Sequence, residues 1–243
     1  MDRRNPADIA GGLIPHARFT TTLILLINSG IYVATVLASM KSGRGGLGGL
    51  DAETLINFGA MFPPYIHAGQ WWRYITAGFL HGGVLHILMN SWVLFDLGAQ
   101  TEEFFGTSRM IAIYFAGTVG GFWASSHWAP LSVGASAGIF GLIGAMIAFG
   151  IRQRSSYGAA LRSFYVRWAV YGLAMGFLIP NMDMAAHIGG LIAGFAVAFV
   201  AGEPRLTGPS NTIWKAVAGV CIAVTLLAFA AMFAWMLHTS ARG

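Results

Sequence analysis

The sequence predicts an all-α polytopic membrane protein. Of its 243 residues, 56% are hydrophobic and only 9% are charged, against about 25% charged in a soluble domain. Apolar runs of roughly 20 residues recur, enough to cross a hydrocarbon core as helices. These runs are continuous rather than alternating, which argues against a transmembrane barrel. Helices remain, because they satisfy their own backbone groups without water.

Residues 1–18 form a polar tail, with Arg3, Arg4 and Arg18 against Asp2 and Asp8. Phe19 to Ala38 is a first span and serves as an uncleaved insertion signal. It is too long for a cleavable leader and shows no small-residue cleavage site. A long first loop occupies residues 39–78. Its glycine-rich part, Lys41 to Gly49, lacks the flanking strand and Lys-Ser/Thr of a phosphate cradle and is read as a flexible linker. Gln70-Trp71-Trp72-Arg73-Tyr74 is read as an interfacial belt. A connection of this length is usually functional or structured in its own right. Further spans are expected near Phe79–Gly98, Met110–His127, Gly134–Gly150, Phe164–Ile179 and Met184–Ala201. Pro180-Asn181-Met182-Asp183 turns the chain between the last two. Residues 19–201 thus hold six expected spans. Residues 202–243 hold a linker and a seventh, C-terminal transmembrane helix, near Ile213–Leu237.

The net charge of +5 reads as topology. With the N-terminus cytoplasmic, that side holds Arg3, Arg4, Arg18, Arg109, Arg152, Arg154, Arg162, Arg167, Arg205 and Lys215. The other side holds Lys41, Arg44, Arg73 and Arg242, the bias that orients spans. No basic face interleaved with aromatics suggests nucleic-acid binding. Cys221 is the only cysteine, so no internal disulfide is possible, and it is read as packing.

In this orientation spans two, four and six run from outside to inside. Their N-terminal portions carry His86 and Asn90, Ser136, and His187. Polar groups within a membrane are costly and usually face a bundle interior or a wet cavity. A lone serine in such a helix commonly bonds the carbonyl one turn back, and a lone histidine is commonly a satisfied core residue. Here small residues flank both. Ala186, Gly190, Gly194 and Ala198 stripe one helix; Ala137, Gly141 and Ala145 stripe the other. Small faces let membrane helices approach closely, as a Ser136–His187 hydrogen bond requires. Ser136 is then the candidate nucleophile and His187 the general base. A base that works as neutral imidazole loses activity as the medium is acidified through its pKa.

His86 and Asn90, four apart on one helix face, could hold an oxyanion with the Ser136 N–H. The plainer use is interhelical hydrogen bonding. His81 lies off that face and is read as structural. A metal site on His81, His86 and His187 lacks a carboxylate partner and ligand spacing, so no metal is expected. Asp183 could orient His187 as a triad acid, but capping the sixth helix is the expected role.

Gly134-Ala135-Ser136-Ala137, Ala186-His187-Ile188-Gly189-Gly190 and His81-x4-His86-x3-Asn90 resemble the rhomboid intramembrane serine proteases. Gly69-Gln70-Trp71-Trp72-Arg73 is similar to the family's first-loop Trp-Arg motif. Gly98-x3-Glu102-x3-Gly106 is similar to its Gly/Glu motif. The resemblance covers about residues 55 to 200. It implies a rhomboid-like six-helix core and a Ser–His dyad without an acid partner. It also implies an oxyanion site of Asn90, His86 and the Ser136 backbone. Membrane-protein substrates would enter sideways near helix five and be cut near the outer face. No cofactor is implied, and the partners expected are membrane-protein substrates and lipids. The location expected is a bacterial inner membrane.

Two positions depart from the family pattern. Ala137 stands where glycine is common, and Phe140 where many members carry Tyr. Phe140 keeps the ring that stacks on His187 and loses a hydroxyl. Two other functions fit the polar layer: a non-catalytic relative that binds and escorts membrane clients, and a small-solute transporter. Relatives of the first kind typically lack a dyad residue, and no inverted repeat favours the second.

Overall fold

The computed structural model describes residues 19–179, 182–202 and 209–240. The expected tail at residues 1–18, the Pro180-Asn181 part of the turn and the Glu203–Arg205 loop lie outside the described residues. Helices α1 (Phe19–Lys41), α2 (Ala52–Asn57), α3 (Pro63–His67) and α4 (Arg73–Thr76) lead into a 3-10 turn, Ala77–Phe79. Then come α5 (Val84–Ser125), α6 (Ser136–Arg152), α7 (Ser156–Met175), α8 (Met184–Ala201) and α9 (Pro209–Ser240). Among the described residues no strand forms beyond two isolated bridges. The protein is an all-α polytopic membrane protein.

The seven expected spans map onto α1, two arms of α5, α6, α7, α8 and α9. Spans two and three are arms of one helix broken at Gly106, whose φ of 74° and ψ of 158° are not helical; glycine adopts that φ without a Cβ penalty. By length and apolarity alone, α1, α8 and Asn211–Thr239 of α9 qualify to cross a membrane. A fourth crossing qualifies if Arg73–Phe79 and α5, bent by 91°, count as one broken span. The fifth helix starts eight residues before the expected Phe164. Ser155 accepts from the Gly158 N–H, so a side-chain cap sets that start rather than the onset of apolarity.

Apolar on all sides, α6 sits at the centre, as such helices do. Leu142, Ala145, Met146 and Ala148 have no exposed surface. It packs against α5, α7 and α8. The α6–α8 contact is backbone to backbone: a Cβ on Gly194 would lie 2.1 Å from Gly141 O, and one on Gly190 would lie 2.2 Å from Ala137 O. Gly117 and Gly121 on the second arm of α5 close the trio, meeting Gly141 Cα at 2.9 Å and Ala186 O at 2.6 Å by the same measure. This third small-residue face was not among those expected, although Gly117 and Gly121 are four apart.

The glycine-rich segment read as a flexible linker is an ordered turn. Gly46 and Gly49 pair across it, Leu50 N–H donates to Gly82 O at 2.9 Å, and Tyr32 Oη donates to Leu47 O at 2.8 Å. Asp51 follows as the N-cap of α2. Burial raises its carboxyl pKa, but hydrogen bonds donated by Thr54 and Ser39 outweigh that and lower it to about 2.

Trp72 and Arg73 are not belt residues. Trp72 is buried and Arg73 has no exposed surface. The Arg73 guanidinium donates to Gln70 Oε1, Ile56 O and Ala60 O at 2.7 to 2.9 Å. It also lies over the rings of Tyr65, Trp72 and Trp235 at 4.5 to 5.0 Å. These bonds hold the first loop together from within, and Trp235 ties it to α9.

Glu102, also buried, accepts from Thr20 N–H at 3.1 Å, Thr21 N–H at 3.3 Å and Thr20 Oγ1 at 2.7 Å. It thereby satisfies the first turn of α1, where N–H groups lack intrahelical partners and a negative charge is favoured.

Candidate active site

Ser136 opens α6. Gly134, two residues before, has φ +135°, a conformation that L side chains rarely adopt, so the chain turns sharply into the helix. Gly134 N–H donates to Ala77 O at 3.0 Å, and Met61 and Ser132 exchange two backbone bonds of 3.0 Å. The approach to Ser136 is thus pinned to the first loop. At the start of α6 the Ser136 and Ala137 N–H groups have no intrahelical partner.

His187 lies in the first turn of α8. Asp183 caps that helix: its Oδ1 accepts from Ala186 N–H at 2.9 Å, and its Oδ2 accepts from Ser125 Oγ. Asp183 therefore sits at the cap, as expected, with both oxygens engaged away from the ring.

His187 Nε2 lies 3.0 Å from Ser136 Oγ, a good hydrogen-bond distance. With the imidazole proton on Nδ1, Nε2 accepts from the serine hydroxyl. Phe140 stacks on the other side of the ring, with centroids 4.2 Å apart and planes at 12°. The stacking expected of Phe140 is present, and it limits rotation of the imidazole. His187 is 5% exposed and Ser136 partly so.

His86 and Asn90 sit at the start of α5 against the backbone that precedes Ser136. A Cβ on Gly134 would meet His86 Nε2 at 2.7 Å and Asn90 Nδ2 at 3.5 Å. Gly134 is thus the residue whose missing side chain admits the His86 ring, with Asn90 Nδ2 in ordinary contact beside it. Asn90 Nδ2 is buried without a partner, a donor held ready for an acceptor. His86 Nδ1 accepts from Gly82 N–H at 3.4 Å, leaving Nε2 toward Gly134. His81 lies outside α5, fully buried, edge-on to His86 at 5.2 Å.

Of the residues singled out in sequence, Ser136 and His187 touch, and His86 and Asn90 lie against Gly134, two residues before the serine. Trp72, Arg73 and Glu102 stand apart as loop and helix-end anchors. Gly190 and Gly194 set the distance between the dyad helices. Met61, Ala77, Phe122, Ala137 and Ala186 pack together beside the dyad's first turns. Ser125 and Met61 were not anticipated, because neither carries a motif.

An all-helical membrane protein that presses a serine hydroxyl onto a histidine across a glycine-lined helix contact belongs to a narrow class. The family model described as the rhomboid domain matches residues 68–204, more than half of the chain. The chain is a member of the rhomboid family.

Rhomboid protease GluP of Bacillus subtilis is 34% identical over 181 residues, covering 74% of this chain and 36% of that protein. Rhomboid-like protease 2 of Toxoplasma gondii is 31% identical over 192 residues, covering 74% and 65%. RHOMBOID-like protein 5 of Arabidopsis thaliana is 37% identical over 159 residues, covering 63% and 51%. The chain thus spans about a third to two thirds of the length of these curated relatives.

Proposed function

We propose that this protein is an intramembrane serine endopeptidase that cuts transmembrane segments of other membrane proteins. The observation that carries the reading is the 3.0 Å approach of His187 Nε2 to Ser136 Oγ, made by residues of two different helices. Ser136 Oγ attacks the scissile carbonyl carbon while His187 Nε2 takes its proton. Negative charge gathers on the carbonyl oxygen, and Asn90 Nδ2, His86 and the N–H at Ser136 donate to it. The imidazolium then passes its proton to the leaving amine. Water, deprotonated by the same nitrogen, releases the acyl group from Ser136. Asp183 takes no proton in this scheme.

The N-terminus is cytoplasmic and cleavage falls near the outer face. The end of the bundle that holds Lys41 and Arg44 also holds the dyad. Arg109 and Arg152 gather instead at the far end of α8, on Ala201 O at 3.4 Å and Phe199 O at 2.9 Å. The substrates are single-span or polytopic proteins of the same bilayer, and the bilayer is a bacterial inner membrane.

Cleavage of a single-span reporter in proteoliposomes tests the reading. Ser136→Ala and His187→Ala are each expected to lower the rate by roughly 10⁴-fold or more. Full activity in either variant overturns the dyad. A serine-directed fluorophosphonate is expected to label Ser136, which a relative that only binds and escorts clients would not allow.

A further inference from the structure

The first loop closes the open end of the helix that carries His86 and Asn90. Gly83, at the N-cap of α5, has no side chain with which to cap it. The Val84 N–H lacks an intrahelical partner and donates instead to Leu47 O at 3.0 Å. The same carbonyl accepts from Tyr32 Oη of α1 at 2.8 Å. The Tyr32 ring is buried and packs with Val84 and Ile87, so the hydroxyl is held on Leu47 by the first turn of α5 itself.

The turn grips the two residues before α5 as well. Gly82 O accepts from Leu50 N–H at 2.9 Å, while Gly82 N–H donates to His86 Nδ1 at 3.4 Å. Gly83 lies close under the turn: a Cβ there would lie 2.8 Å from Gly48 O. The acceptor role of Nδ1 has a chemical consequence. A neutral imidazole carries one proton, and the bond made at one nitrogen decides which of the two holds it. With Nδ1 accepting, the proton sits on Nε2, the nitrogen that lies toward Gly134. Only in that tautomer does neutral His86 donate to an oxyanion at this place.

We infer that the glycine turn at residues 45–50, held by Tyr32, is the scaffold that orients His86, and that Tyr32 is a positioning residue of the oxyanion site. Tyr32 acts through Leu47 O, the start of α5 and the Gly82–His86 bond. The inference rests on the protease reading, in which His86 stabilises the oxyanion. A misplacement of about 1 Å near the reacting atoms costs about 10²-fold in rate, so a hydroxyl on α1 governs chemistry it does not touch. The turn is glycine-rich for the same reason. Its backbone must pass close to Gly83, and a Cβ on Gly45 would lie 2.8 Å from Gly49 O.

The test compares Tyr32→Phe, which keeps the packed ring and removes the hydroxyl, with Gly83→Ala, whose Cβ would collide with Gly48 O. Each is made in the full-length protein and again in a His86→Ala background, and cleavage of a single-span reporter is followed in proteoliposomes. Both are expected to lower kcat about tenfold with KM nearly unchanged. Once His86 is absent, each is expected to change kcat by no more than about twofold. A second measurement does not depend on turnover: the imidazole nitrogen NMR spectrum of labelled protein, with His86 assigned by its loss in His86→Ala. The unsubstituted protein is expected to show a protonated Nε2 and a bare Nδ1, and Tyr32→Phe a mixture of both tautomers. Equal losses of kcat with and without His86 make the turn a general support of the fold and overturn the inference. A kcat or a His86 tautomer that neither variant alters overturns it too. Absence of cleavage by the unsubstituted protein overturns the protease reading instead, and the His86 spectrum still decides whether the turn orients the ring.

Discussion

Single side chains carry the chemistry, and the least expected state among them is that of Asn90. Its amide nitrogen is buried with nothing to donate to, and such orphans cost free energy unless a ligand completes them. In the proposed reaction its acceptor is the carbonyl oxygen that turns into an oxyanion beside Gly134. Asn90→Ala removes this donor without breaking a bond inside the free protein. The expected result is a fall in kcat of about 10²- to 10³-fold with KM nearly unchanged. The thermal midpoint should move by only a few degrees. Equal losses in stability and activity would assign Asn90 to the fold instead. Ser136, His187, His86 and Asn90 stood out in the sequence because each lies in an apolar run, where a polar group needs a reason. Arg73 was misread for a related cause. Its burial depends on Ile56 O, Ala60 O and the Trp235 ring, and no local pattern announces partners so far along the chain.

Helices meet the dyad requirement through what they lack. Gly194 already touches the backbone of Gly141, so any side chain there must push α8 away from α6. Gly194→Ala is expected to destabilise the protein by about 1 to 3 kcal/mol, the usual cost of overpacking. It should also cut activity by widening the Ser136–His187 gap. Gly219 on α9 is the control, since a Cβ there meets nothing within 4 Å. Gly219→Ala should be neutral or slightly stabilising, as alanine favours a helix over glycine. Thermal melts and cleavage rates of the two variants, measured side by side, check both statements. The small-residue stripes of α6 and α8 could be read directly from their four-residue spacing. Element ends were less accessible. The start of α7 is set by the Ser155 cap and the break in α5 by Gly106, and neither changes the hydropathy that locates a span.

Across the molecule, α9 is more than an appended anchor. Its Ala228 and Met232 pack with Trp72, Ile75 and Phe79, and Trp235 meets Tyr65 edge-on and Trp72 at a tilt, with Arg73 over its ring. The C-terminal helix therefore clamps the first loop, which in turn pins the backbone before Ser136 through Met61–Ser132 and Ala77–Gly134. Trp235→Ala is expected to cost about 2 kcal/mol, from lost aromatic packing and cation–π contact. It should raise proteolytic sensitivity within residues 52–76 before the rest of the bundle opens. Limited proteolysis with mapped fragments checks this, and first cuts in α6 or α8 would contradict it.

The sequence by itself determined the all-helical class, the order of the helices and the candidate residues Ser136, His187, His86 and Asn90. Those follow from hydropathy and from the cost of polarity in hydrocarbon, which act along the chain. Only the tertiary structure decided that Ser136 Oγ and His187 Nε2 touch and that Arg73 is a buried clasp. Those depend on distances between helices remote in sequence, and such distances are set by packing.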